Sequence, residues 1–67
     1  MKTVLRVCDI RSVKDVVNIK KAISDNEGII ACQIETQNGE VEIVYDNYLV
    51  DVDKIIQSIE NIGYIVI

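Results

Sequence analysis

Apolar residues alternate every second position near both ends and in the middle of the chain, and recur every three to four positions in two stretches between. Those periods, read in order, predict an α+β fold with the element sequence βαββαβ. An Asn38-Gly39 pair between the two central strands makes them a hairpin. The expected architecture is a split-βαβ, ferredoxin-like sandwich: a four-stranded antiparallel sheet with both helices on one face. At 67 residues there is room for one domain, residues 1–67, and one core.

Val4-Leu5-Arg6-Val7-Cys8 is the first strand, with Leu5 and Val7 on one face and Arg6 and Cys8 on the other. From Val13 the period changes, and Val16, Ile19, Ala22 and Ile23 fall on one side of a helix. Ser24-Asp25-Asn26-Glu27-Gly28 is a polar break that ends it. Ile29 to Gln37 reads as the second strand and Val41 to Asp46 as the third. A two-residue type I′ turn at Asn38-Gly39 sets Gln37 opposite Glu40, Thr36 opposite Val41, Ile34 opposite Ile43 and Cys32 opposite Tyr45. That register gathers the apolar side chains on one face. It also sets Glu35 against Glu42 on the other, which costs a little through like-charge repulsion. Asp51 caps a second helix carrying Val52, Ile55, Ile56, Ile59 and Ile62 as an apolar stripe. Gly63 stands where a helix end takes a left-handed residue. Tyr64-Ile65-Val66-Ile67 is the expected fourth strand.

Composition narrows the function. The net charge is −4, so no basic stripe is available for nucleic acid. Aromatic residues make up 4% of the chain, with no Phe or Trp to stack on bases. Charge is uneven: six basic residues stand against two acids in residues 1–21, and one against nine in residues 22–67. The basic excess lies on or near the first helix, where it favours an acidic partner. No apolar run approaches a membrane span, and Met1-Lys2-Thr3-Val4 leads straight into a strand without a leader-like stretch. Two cysteines without a secretory signal point to a reducing, cytoplasmic setting. The chain has no His, no nucleophile elbow and no carboxylate pair on an evident cleft, so no enzyme is expected.

The ordered set of elements resembles the heavy-metal-associated domain of copper chaperones and of the N-terminal arms of metal-pumping ATPases. The resemblance rests on Val4-Leu5-Arg6-Val7, on Val16 to Ile23, on Gly28-Ile29, on Asn38-Gly39 and on Val44-Tyr45-Asp46. It extends through Ile55-Ile56-Gln57-Ser58-Ile59-Glu60-Asn61-Ile62-Gly63-Tyr64, so it covers nearly the whole chain. It implies a role in metal transport, with a metal-transport ATPase or another protein docking near the first helix.

The family's working motif, Gly-Met-x-Cys-x-x-Cys, falls on Asp9-Ile10-Arg11-Ser12-Val13-Lys14-Asp15. Ile10 keeps an apolar plug. The ligand positions hold Ser12 and Asp15, with Cys8 and Asp9 nearby; these four are the candidate metal residues. A hydroxyl and a carboxylate are hard donors that do not select Cu(I). The resemblance therefore implies a divergent member with little or no Cu(I) binding through this loop and no firm cofactor, a weakly held hard ion at Asp9 and Asp15 being the alternative. Ser12 and Asp15 also have the spacing of a capping box. Tyr64 matches a family position beside the metal loop, where the resemblance implies an aromatic that shields the ion; the other reading is an ordinary residue closing the core after Gly63. Cys32 reads as a small core residue on a strand not adjacent to that of Cys8, so no disulfide is expected. A metal-independent interaction or regulatory module on the same fold remains the other reading.

Overall fold

Leu5 and Val7 turn inward at the start of the chain, and every later element brings apolar side chains to the same layer. A computed structural model describes all 67 residues. The elements are β1 (Lys2–Arg6), α1 (Val13–Ser24), β2 (Ile29–Glu35), β3 (Glu40–Tyr45) and α2 (Val52–Asn61). The sheet is antiparallel with order β1-β3-β2. Both helices close over its inner face. Ile19 and Ile23 of α1, Val41 and Ile43 of β3, and Ile55 and Ile59 of α2 are wholly buried in one core, with Val7, Ile10, Tyr45 and Val50 around them. Val16, Val52 and Cys32 pack half-buried at its margin. Ile62, expected on the inner stripe of α2, is exposed, because the helix ends at Asn61 and Ile62 is its C-cap.

The sheet has three strands rather than the four the sequence predicts. The last segment makes one antiparallel bridge, Val7 to Val66. Two backbone bonds flank it, from Cys8 N to Ile65 O at 2.9 Å and from Ile67 N to Arg6 O at 2.9 Å. Asp9 takes a left-handed φ of 65°, so the chain turns away from the sheet just past Cys8, Tyr64 has no strand opposite it, and pairing is confined to Ile65–Ile67 against Arg6–Cys8.

The hairpin register also differs. Glu35 stands opposite Glu40, Ile34 opposite Val41 and Cys32 opposite Ile43, so the connection runs over Thr36–Gly39 instead of two residues. Gly39 has a positive φ of 69° and Asn38 does not, which rules out a type I′ turn. A contact from outside the hairpin accounts for the difference: Val7 N donates to Gly39 O at 2.8 Å and draws the turn against the end of β1. The slip is two residues, an even number, so the side chains from Ala31 to Glu35 keep their faces, while a bulge between Ile29 and Ala31 turns Ile29 inward and leaves Ile30 exposed. The like-charge pair therefore becomes Glu35 with Glu40. Arg6 approaches Glu40 at 3.9 Å and Lys2 meets Glu42 at 3.0 Å, so β1 supplies the positive charge.

Asn26 ties the end of α1 to α2. Its amide donates to Ile23 O at 3.1 Å and to Ser58 Oγ at 2.9 Å.

Gly39 and Gly63 offer a matched test. Both have positive φ, which costs any L side chain about 1–2 kcal/mol. A Cβ on Gly39 would lie 2.6 Å from Val7 O, whereas one on Gly63 meets nothing within 4 Å. Denaturant unfolding should therefore show Gly39→Ala to be clearly the more damaging of the two. Equal losses would mean that the Val7 contact is not rigid.

Candidate functional site

The segment Asp9–Asp15 joins β1 to α1, and its shape follows from where its backbone donors go. The first N–H groups of a helix have no partner within it. Ser12, with extended φ and ψ of −136° and 166°, is the N-cap of α1, and its Oγ accepts from Asp15 N at 3.2 Å. Asp15 reaches back in return. Its Oδ2 accepts from Ser12 N at 3.1 Å and from Arg11 N at 2.9 Å. This is a complete capping box, the role that the spacing of Ser12 and Asp15 suggests. Ile10 is buried beneath the loop as an apolar plug.

The other Asp15 oxygen is taken from far along the chain. The Tyr64 hydroxyl donates to Asp15 Oδ1. Tyr64 is half-buried and also packs against the core. The Tyr64 bond is the main reason that the Asp15 carboxyl is held down at about 2, helped by the Arg11 and Ser12 amides and opposed by burial. The same bond, with burial and the Asp15 charge, pushes the Tyr64 phenol up; a bond with Asn18 opposes this.

The remaining candidates lie apart from this cluster. Asp9 is exposed at the start of the loop, and its Oδ1 accepts from Arg11 Nη2 at 2.9 Å. Cys8 is half-buried where β1 gives way to the loop. Cys32 is half-buried on the core side of β2, where burial raises its thiol pKa against the pull of Lys20. Both cysteines are free. The loop thus brings Ser12 and Asp15 together as hydrogen-bond partners and ties Asp9 to Arg11. No three Cys, Asp or Glu side chains converge to form a metal-sized group. Ser12 and Asp15 offer hard oxygens, and those oxygens are engaged in the cap. The acids between β3 and α2 are local caps: Asp46 accepts from Tyr48 N, and Asp51 from Lys54 N.

A capped loop between the first strand and first helix of a βαββαβ layout, over a buried apolar plug, is the layout of a heavy-metal-associated domain. The chain belongs to that family, whose pattern matches residues 4–64. Its fold is similar to that of the CopZ metallochaperone, with a TM-score of 0.97, 24% identity and 100% of both chains covered. It is similar to a copper binding domain from HMA7, a P-type ATPase, with a TM-score of 0.93 and 18% identity over 98% of this chain and 89% of that one. The yeast copper transporter domain Ccc2A aligns with a TM-score of 0.89 and 25% identity, over 97% of this chain and 89% of that one. Comparison with curated proteins gives no significant match. No helix is long and apolar enough to cross a membrane.

Two outcomes check the loop. Ser12→Ala should lower stability by about 1 kcal/mol in denaturant unfolding, the usual cost of losing a serine N-cap. The depressed Asp15 value also sets a sign for acid. Its contribution is complete above the ordinary value of 3.8 and is lost as pH falls through about 2. Asp15→Asn should therefore lose less stability than the natural protein across that window. Parallel curves would show that the carboxylate is not held as described.

Proposed function

We propose that this domain serves heavy-metal homeostasis as a non-catalytic docking module that carries little or no Cu(I) through its loop. The observation behind this is the commitment of Ser12 and Asp15 to the helix cap. Each atom that would face an ion already holds a hydrogen bond of the fold. A weak hard ion at Asp9 and Asp15 would share their oxygens with Arg11 and Tyr64, which weighs against that alternative.

The docking surface in this reading is the outward side of α1. Val17 is 56% exposed and Val13 80% exposed, although both are valines on a helix whose other apolar residues turn inward. Val13, Lys14, Lys20 and Lys21 are the three- and four-residue neighbours of Val17, so they surround it on one face. The ion pairs of the chain involve Lys2, Arg6 and Arg11, which leaves Lys14, Lys20 and Lys21 uncompensated. An apolar centre ringed by lysines suits a partner with an acidic rim, such as a domain of a metal-transport ATPase in the cytoplasm. The second reading, a regulatory interaction module with no link to metal, uses the same surface and is favoured by the same cap.

A titration with Cu(I), Zn(II) and Cd(II) under reducing conditions, followed by the amide shifts of residues 8–16, tests the first part. The natural protein should respond little, and the Ser12→Cys, Asp15→Cys double variant should gain Cu(I) binding. Strong shifts in the natural loop at micromolar metal would overturn the proposal. For the docking surface, Val17→Asp with Lys21→Glu should abolish capture by an acidic metal-transport domain while leaving thermal unfolding nearly unchanged. Undiminished capture would move the interface elsewhere.

A further inference from the structure

The C-terminal segment is attached to the sheet lightly. One bridge and two backbone bonds hold it to the edge of β1, and the bond that carries it out of α2, from Tyr64 N to Ile59 O, is long at 3.4 Å. Ile65 and Ile67 are largely exposed, so Val66 and Tyr64 are its side chains packed against the core. Gly63 lies at the root of the segment, with a positive φ and open space around it. A four-residue edge held this way would be expected to fray.

One further contact closes it. The Tyr64 hydroxyl reaches the carboxylate that also accepts the Arg11 and Ser12 amides. Hydrogen bonds to a charged acceptor are about twice as strong as neutral ones. A single side chain thereby joins the loop, the first turn of α1 and the end of the chain, across 49 residues. The backbone closes the circuit on its other side, because Cys8 N, at the start of the same loop, donates to Ile65 O.

We propose that Asp15 and Tyr64 form a clasp that makes the β1–α1 loop and the C-terminal segment open and close as one unit, without an ion. The clasp goes beyond docking: it concerns what keeps the α1 end of the docking face in shape. When it opens, Arg6 O and Cys8 N lose their partners and the edge of β1 becomes free. When it is shut, the loop is ordered whatever the metal supply.

Native-state hydrogen exchange tests this in the free protein, so the result does not depend on the docking reading. Two sets of amides report on the two sides: Cys8 and Ile67 for the segment, Arg11 and Ser12 for the loop. Tyr64→Phe keeps the ring and removes only the hydroxyl. Exchange at both sets should rise together by about tenfold or more, with the β3 core amides of Val41 and Ile43 unchanged. Asp15→Asn, a second route to the same opening, should also raise both sets. Combining the two changes should add little beyond the larger single effect. A rise confined to Cys8 and Ile67 would make Tyr64 a local anchor and overturn the clasp. No rise at either set, or full additivity of the two changes, would overturn it as well.

Discussion

The Asp15 carboxylate has two oxygens, and the fold uses both. Oδ2 collects the amides of Arg11 and Ser12, and Oδ1 collects the hydroxyl of Tyr64. A negative charge in the first turn of a helix also faces the positive end of its dipole. The surrounding features follow from this one group. The loop must curl tightly enough to bring two consecutive amides onto one oxygen, and the left-handed turn at Asp9 starts that curl. The curl in turn takes the chain off the sheet after Cys8, which ends the pairing of the last segment on that side. The end of that pairing and the helix cap share a single local geometry.

The same geometry underlies the proposed chemistry of the site. Lone pairs spent on hydrogen bonds are not free for an ion, and the competing donors at Asp15 and Ser12 belong to the fold. In the proposed reading a metal at this loop would compete with two backbone amides and a phenol for the Asp15 oxygens. Cysteines at these two positions would instead offer thiolates, which are good soft-metal ligands. In the proposed reading, Ser and Asp at this spacing make a loop whose order does not wait for an ion.

How much of this could be read from the chain varied with how local the deciding contact was. The stripe on α2, the Asp51 cap and the pairing of Ser12 with Asp15 depend on residues within about one helical turn, and spacing alone reveals them. The hairpin register does not. Asn38-Gly39 is a strong two-residue turn signal, but the position of Gly39 is set by Val7, on the neighbouring strand, and the turn lengthened to reach it. Face assignment survived from Ala31 onward because the slip was even, and failed at Ile29 and Ile30, where a bulge interrupts the alternation. Tyr64 was recognisable as a residue near the loop only through the family frame. Its bond to Asp15 joins positions that no periodicity connects.

The charge pattern had a similar division. The basic excess of the first 21 residues is plain in the sequence, but only the structure separates its members. Lys2 and Arg6 lie on the outer sheet face against the acids of β3, and Arg11 is drawn back to Asp9. These pairs are exposed and contribute little to stability. Their effect is on what remains: Lys14, Lys20 and Lys21 form an uncompensated field around Val17. Long-range attraction is read from uncompensated charge, and affinity from apolar area at its centre. On this chain those two features coincide at one place, the outward side of α1, directly beside the loop that the Asp15 carboxylate holds in shape.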